Sequence, residues 1–420
     1  MKANKVLSIL IATSLVLLTG CFDYNEYENL ALVSAIGIDT DNTNSQVTVT
    51  VEYLEPSSGS SSSKAATSSV VVKATGLAIA DALTKIQEAT GKKIFYGYLD
   101  EFVIGENAAK KMMKDILGYA NRAPTIRTSA YLVITKETAE KVLSTINPNV
   151  THPTGQNIHN LIEQSLNSGS AFPVRLQDFV EKMAISGQEP VAPMISIESA
   201  ASPSTSSSTS TDASSDTYEK MTDRGSIKLG ELKKGYENID GIAAFQNSEL
   251  VGWLAGRECT GLGWITGHKI TPYEIVKTSS ESNAQNTLIF RIENSKCNVK
   301  VNYDNGRPVA NINASVEAEL RKYSSNLNPE LMAPATVSLL EKKLADNVGI
   351  DINAALKKGQ KELKTDIFGI GFDFYRQYPA LWHSRYEKKW KDIFPTLQIN
   401  VNVTAKLTNT GTSIKKFSLK

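Results

Sequence analysis

Apolar residues recur along this chain with two periods, and the alternation between them divides it into strands and helices. Ala31–Gly37 is small and apolar throughout, the pattern of a buried strand, and ends at Gly37-Ile38-Asp39. In Gln46–Leu54, Val47, Val49, Val51 and Tyr53 share one face while Thr48, Thr50 and Glu52 share the other, as in a half-buried strand. Val70–Lys73 reads as a third strand. Gly76–Thr90 carries Ile79, Leu83 and Ile86 at helical spacing. Phe95–Ile104 reads as a strand and Asn107–Tyr119 as a helix. A strand at Ser129–Ile134 and helices at Glu137–Ser144, Gln156–Leu166 and Leu176–Ala184 follow. Further strands are expected at Lys228–Leu232, Gly241–Phe245, Glu249–Leu254, Thr287–Ile292, Cys297–Asn302 and Asn311–Leu320. Ala335–Ile367 is a long amphipathic helical region with a candidate break at Ile350-Asp351-Ile352. An aromatic helical region, Phe372–Phe394, precedes an alternating strand at Leu397–Leu407. The expected fold class is α+β: a multi-domain ectodomain with mostly antiparallel or mixed sheets flanked by helices, and a long amphipathic helix in the C-terminal domain.

Two stretches interrupt this patterning. Ser57–Ser69 is a serine-rich loop, and Ser199–Thr217 is serine and threonine with almost no large apolar residue. The second cannot bury enough surface to offset chain entropy, so it reads as a linker or loop. It separates an N-terminal α+β region, 21–198, which two subdomains could make up, from a C-terminal region, 225–420. Within the latter, about 285–420 is expected to be a separate α+β domain.

The first twenty residues change the picture most. Lys2 and Lys5 precede an almost unbroken apolar run, Val6–Leu18, and then Leu18-Thr19-Gly20-Cys21. A basic start, a short apolar core and small residues before a cleavage point make a secretory signal, residues 1–20. The run is shorter than the roughly 20 residues a membrane-spanning helix needs. The cysteine matches a lipobox, in which Cys21 is diacylated and becomes the first residue of the mature chain. Two acyl chains give stable anchoring where one is marginal, at about 0.8 kcal/mol per buried CH2. Lys2 and Lys5 leave with the signal, so the 45 basic residues become 43 against 44 acidic ones. That near-neutral balance offers no field for nucleic acid. No later segment is apolar enough to span a membrane, and a mature chain of this length implies two or three domains.

Candidate chemistry is sparse. After Cys21, Cys259 and Cys297 remain, a pair that one disulfide and two separate thiols explain equally well. Of the four histidines, His152 and His159 are seven apart, but Pro153 interrupts any shared helix face. Gly252, Gly256, Gly261, Gly263 and Gly267 lack the order of a dinucleotide fingerprint and read as turns and close packing. Asp39 and Asp41 lie beside a turn and read as solvated. Tyr375, Tyr378, Trp382, Tyr386 and Trp390 are spaced 3, 4, 4, 4, as on one helix face. Such a stripe is most often core and otherwise a partner-binding surface. No metal, cofactor or catalytic constellation is indicated.

Three blocks in order along the chain resemble one family. Gly20-Cys21-Phe22-Asp23-Tyr24 with Asn29-Leu30-Ala31-Leu32-Val33-Ser34-Ala35-Ile36-Gly37-Ile38-Asp39 resembles the opening of the Ger(x)C lipoproteins, with Phe22 where the family usually has Trp. Gly241-Ile242-Ala243-Ala244-Phe245, Leu250-Val251-Gly252-Trp253-Leu254 and Gly261-Leu262-Gly263-Trp264 resemble its central block. Asp366-Ile367-Phe368-Gly369-Ile370-Gly371, Tyr378-Pro379, Trp382, Trp390, Phe394-Pro395 and Val401-Asn402-Val403 resemble its C-terminal block. The resemblance implies the C subunit of a spore germinant receptor: a three-domain α+β ectodomain, lipid-anchored on the outer face of the spore inner membrane. It implies partnership with a polytopic A subunit and a transporter-like B subunit that respond to nutrients, and no catalytic role. The alternative is an extracytoplasmic solute-binding lipoprotein that captures a nutrient for a transporter, which needs two similar lobes around a cleft. An exported hydrolase built on Asp and Glu is a third reading that no motif supports.

Overall fold

The computed structural model describes residues 29–409 except 42, 56–67, 124, 148–149, 151, 200–218, 223–224, 229–232, 269–272, 278–286, 305 and 323–332. The expected signal segment, the Ser57–Ser69 loop up to residue 67, nearly all of Ser199–Thr217, and most of the strand expected at Lys228–Leu232 lie outside the described residues.

The chain opens with β1 (Leu30–Thr40), β2 (Val47–Glu55) and β3 (Ser68–Gly76), then α1 (Ile79–Thr90). Next come β4 (Lys93–Phe95), β5 (Glu101–Gly105), α2 (Glu106–Lys111), α3 (Met113–Arg122), β6 (Tyr131–Thr135) and α4 (Ala139–Leu143). β7 (Thr145–Ile146), α5 (Thr154–Ser168), α6 (Leu176–Ala184) and β8 (Val191–Ser199) complete the first stretch. A small hairpin, β9 (Glu219–Thr222) with β10 (Gly225–Lys228), precedes β11 (Lys233–Gln246) and β12 (Glu249–Leu254). Then follow α7 (Arg257–Thr266), β13 (Tyr273–Lys277), β14 (Thr287–Asp304), β15 (Arg307–Lys322), α8 (Pro334–Leu356), α9 (Ile370–Gln377) and β16 (Gln398–Asn409).

The larger sheet is ordered β12-β11-β8-β6-β5-β1-β2-β3, with β4 added to β1 and β7 to β11. Its centre, β8-β6-β5-β1, is parallel, and antiparallel pairs close both sides. Both β5 and β6 are buried at every position, as parallel strands covered on two faces must be. Ile36, Ile38, Phe102, Ile104, Leu132 and Ile134 face Leu83, Ile86, Ile116 and Leu117 of α1 and α3. Ala35, Val103 and Val133 face Val142, Leu143, Ile158 and Ile162 of α4 and α5. The segment 233–254, expected in the C-terminal region, is instead part of this sheet. β11 pairs antiparallel with β8 from Gly235↔Ser199 to Ala244↔Val191, so the serine-rich segment joins two neighbours in one sheet.

The smaller sheet, β13-β14-β15-β16, is antiparallel until β16, which lies parallel to β15. α7 and α8 cover one face, burying Ile312, Ala314, Val316, Leu340, Leu344, Val348 and Ile352 together. α8 runs unbroken through Ile350-Asp351-Ile352, contrary to the expected break. Asp351 is buried there because Arg257 of α7 donates to it at 2.5 Å, while Asn347, one turn earlier, donates to the buried Glu274 of β13 at 2.7 Å. Burial pushes Glu274 up to about 8, and the Asp351 carboxylate beside it adds to the rise.

The Gly37-Ile38-Asp39 motif has a structural reason. A Cβ on Gly37 would lie 3.0 Å from the Ala139 Cβ, so glycine lets α4 settle against β1. Asp39, expected to be solvated, is half-buried and accepts the N–H groups of Ala139 and Glu140 at 2.8 and 3.0 Å, capping α4. Burial raises its carboxyl to about 6, against the pull of those bonds.

α7 and α8 pack closely because Gly261 carries no side chain: a Cβ there would stand 1.9 Å from the Asp351 carbonyl oxygen. Gly261→Ala therefore forces the helices apart and costs about 1–3 kcal/mol, seen as a lower melting temperature by circular dichroism. Gly349→Ala, whose Cβ meets only Val403 at 3.8 Å, is neutral or stabilising by up to about 1 kcal/mol.

Candidate functional site

Most residues singled out by type fall into structural roles. Cys21 lies outside the described residues. Cys259 and Cys297 are free thiols and form no disulfide. Cys259 is buried in the first turn of α7, near Ile242 and Asp240, whereas Cys297 is half-buried on β14 opposite Ala314 and near Asp373. Each thiol is thus packed against different elements, and burial raises them to about 12 and about 11. Gly256 and Gly267 bound α7 with positive φ, and Gly252 passes under Leu363. His159 of α5 bonds Glu101, His268 stacks on Phe172 at 4.2 Å, and His383 bonds Glu387. Among the described residues no group of three or more His, Cys, Asp or Glu is placed to hold a metal ion.

The aromatic run 375–390 is not one helix face. Pro379 ends α9, and short turns follow at Pro379–Leu381, Trp382–Tyr386, Glu387–Lys389 and Trp390–Ile393. Their rings converge on the buried Phe374. Tyr386, Tyr378, Trp382 and Trp390 stand 5.0, 5.7, 5.9 and 6.0 Å from it between ring centroids. Such clusters prefer the tilted and edge-on geometries seen here. Trp382 is 0% exposed and Tyr386 and Trp390 are buried, Tyr375 is half-buried, and Tyr378 is 37% exposed. As a partner surface the run is therefore corrected: three of its five rings are committed to the core.

Asp366 holds this knot. Its Oδ1 accepts the N–H groups of Phe368, Gly369 and Ile370 at 3.3, 3.0 and 3.2 Å. Its Oδ2 accepts Gly371 N–H at 2.7 Å and Trp390 Nε1–H at 2.8 Å. A carboxylate placed over the opening of α9 satisfies amides that lack helical partners and suits the positive end of the helix dipole. A Cβ on Gly371 would lie 2.5 Å from Trp390 Nε1, so glycine lets the indole reach the carboxylate.

The same segment docks the smaller sheet's unit on the larger one. Phe372 N–H donates to Gly187 O at 2.9 Å, and Glu189 N–H donates to Asp366 O at 3.0 Å. The Thr365 hydroxyl donates to Phe245 O at 3.0 Å. Trp382 Nε1–H donates to Ser186 Oγ, which in turn donates to Glu387 at 3.1 Å. Gly187 has φ +83°, and a Cβ there would meet Gly371 and Phe372 backbone within 2.8 Å. Beside this seam lies a cleft of about 420 Å³, edged by Gln188, Glu189, Asn247, Lys364, Lys388 and Lys391. Burial raises Glu189 above the usual carboxylate range.

A second polar cluster lies under the N-terminus of α5. Glu52, fully buried, accepts Thr154 and Gly155 N–H at 2.8 and 2.7 Å and the Ser34 hydroxyl at 2.7 Å. Buried Glu101 bonds His159 Nδ1 at 3.1 Å through one oxygen. Burial pushes Glu101 up to about 8, and the bond raises His159. Glu237 accepts from Asn147 and Asn157. These acids bind backbone and side chains of their own fold, and Glu237 also lines a cavity of about 200 Å³.

Comparison with known proteins gives two family matches in order. A family described as "Spore germination protein N-terminal domain" matches residues 23–197, and one described as "Spore germination B3/ GerAC like, C-terminal" matches residues 240–411. The interval between them holds the Ser/Thr-rich segment. Spore germination protein KC of Bacillus subtilis (strain 168) is 26% identical over 431 residues, covering 97% of this chain and 96% of that protein. Spore germination protein B3 of the same strain is 22% identical over 399 residues, covering 95% and 96%. The crystal structure of the GerBC protein matches with a TM-score of 0.52 at 18% identity, over 91% of this chain and all of that one. It shares the fold.

Asp366→Asn puts an amide donor among buried N–H groups and leaves acceptor positions unfilled, at about 1–3 kcal/mol for each stranded donor. The wild-type carboxyl, lifted by burial from 3.8 to about 6, takes up a proton in the folded chain before it does in the unfolded one. The proton-linked part of its contribution to stability, set apart from the five hydrogen bonds it accepts, therefore grows as pH falls from about 6 toward 4 and is lost as pH rises through 6. Thermal melts across that range should show the gap between wild type and Asp366→Asn widening on acidification.

Proposed function

The chain belongs to the spore germination family that those two matches define, and from that premise we propose that it is the lipid-anchored, non-enzymatic subunit of a nutrient germinant receptor. In this reading it sits on the outer face of the spore inner membrane, tethered through diacylglycerol on Cys21. It assembles there with a polytopic A subunit and a transporter-like B subunit, and needs no cofactor. The observation that carries the reading is the pair of ordered matches, which together run from residue 23 to residue 411.

Three features support it. The lipobox supplies an anchor, and among the described residues no helix is long and apolar enough to cross a membrane. The buried carboxylates act as caps and clamps within the fold. The docked seam around Asp366 joins the two sheets into a platform suited to holding partners in fixed relation. Those partners are met by surfaces other than Trp382, Tyr386 and Trp390. The solute-binding alternative calls for two like lobes, and the two sheets differ in size, strand order and helix placement.

In spores carrying Cys21→Ser, the protein should move from the membrane to the soluble fraction, and the response to nutrient germinants should fall. Affinity capture of the wild-type chain from spore membranes should bring down receptor subunits. A wild-type chain that never travels with them, or a lone mature chain whose melting temperature rises with a nutrient, would count against the assembly role.

A further inference from the structure

The parallel centre of the larger sheet gathers the starts of β1, β4, β5 and β6 at one end of the molecule. β4 lies beside the first residues of β1, with Leu30↔Lys93, Ala31↔Ile94 and Leu32↔Phe95 in register. The turn after β4 projects two aromatic rings there: Phe95 is 40% exposed and Tyr98 is 51% exposed, 6.3 Å apart between centroids. The turn is bonded to the last turn of α3 through Tyr96 Oη and Tyr119 Oη at 3.3 Å. α3 ends at the exposed Arg122, and the exposed Arg127 lies in the loop into β6, whose Tyr131 N–H donates to Asp100 O of the same turn at 2.7 Å. With Lys92 and Lys93 they make two lysines and two arginines against two acids, Glu88 and Asp100, in segments 88–100 and 119–130.

The proposed anchor limits how far this end can lie from the bilayer. Leu30 is nine residues after Cys21, a span of at most roughly 30 Å. β1 alone is eleven residues long, roughly 35 Å, and carries the rest of the molecule away from its own start. Such a tether keeps the start of β1 within roughly 30 Å of the bilayer, closer than the far end of the sheet need lie. Exposed aromatic rings flanked by lysine and arginine are the composition that settles at a headgroup layer, with rings at the interface and cations on anionic phosphates.

Resting on the lipid-anchor reading, we propose that the rim formed by Phe95, Tyr98, Lys93, Arg122 and Arg127 lies on the anionic surface of the membrane and sets the orientation of the anchored protein, while Lys92 is held over the Tyr53 ring at 5.5 Å. The lipid gives residence at the membrane, and the rim gives a defined tilt. The occupant is the phospholipid headgroup layer.

Hydroxyl-radical footprinting of the full lipidated chain on phosphatidylglycerol–phosphatidylcholine vesicles tests this, with the soluble Cys21→Ser chain as reference. Oxidation of Phe95 and Tyr98 should drop several-fold on the vesicles. Oxidation of Tyr236, which is exposed at the opposite end of the sheet, should not change. In the Cys21→Ser chain, Lys93→Gln should weaken binding to the same vesicles about fivefold. Equal oxidation of Tyr98 and Tyr236 on a chain whose mass shows the acyl groups overturns the proposal and leaves the anchor standing. Protection of Tyr98 that appears only when receptor subunits are added overturns it in favour of a protein contact. A chain without acyl mass on Cys21 removes the anchor, and the proposal with it.

Discussion

The carboxylate of Asp366 is the constraint on which the architecture turns. Five donors converge on two oxygens, four from consecutive backbone amides and one from the indole of Trp390. The amides fix the path of the chain into α9, and the indole fixes the short turns that return over it. Phe374 then has one place to go, inside the ring of Tyr378, Trp382, Tyr386 and Trp390. The backbone carbonyl of the same Asp366 receives an amide from Glu189 in the larger sheet's unit. One residue thus sets a local turn, an aromatic core and a junction. Buried charge of this kind is stable only when its donors are in place, so the three features form together.

Elsewhere the chain uses the same device on a smaller scale. Asp39 caps α4 from β1, and Glu52 caps α5 from β2. Asp351 and Glu274 knit α7, α8 and β13 through Arg257 and Asn347. In each case an acid on one element satisfies amides or side-chain donors on another. These acids join elements whose contacts are distant in sequence.

Period was enough to find the elements whose faces are simple. Leu176–Ala184 is a helix with those bounds, and the alternation of Ile312 to Leu320 and of Leu397 to Leu407 marks two long strands. Period failed where tertiary contacts overrode it. Phe95–Ile104 reads as one strand, but β1 draws its two ends into separate pairings with a tight turn at Tyr96–Tyr98 between them. The 3, 4, 4, 4 aromatic spacing reads as one helix, because nothing local reveals that short turns fold the rings around Phe374. The allegiance of 233–254 was hidden for a similar reason. A low-complexity segment looks like a boundary, yet β8 and β11 pair across it. Asp366 stood within a recognisable motif, but its role depends on Trp390, beyond three intervening turns, and on Glu189, far away in sequence.

The position of β16 has a consequence for how the molecule is completed. It lies parallel to β15 from Val309↔Gln398 to Glu319↔Asn409, so it joins the sheet only after the chain has passed through α8, α9 and the aromatic turns. A chain that emerges N-terminus first during its synthesis can close its larger sheet once β12 is out. The smaller sheet must wait, with one long edge of β15 open, until β16 has emerged. Long-range parallel pairing is slow, and an open edge is a template for other chains. The last strand to arrive is therefore the seal on an exposed edge, and the interval before it docks is when this protein is most vulnerable to aggregation and proteolysis.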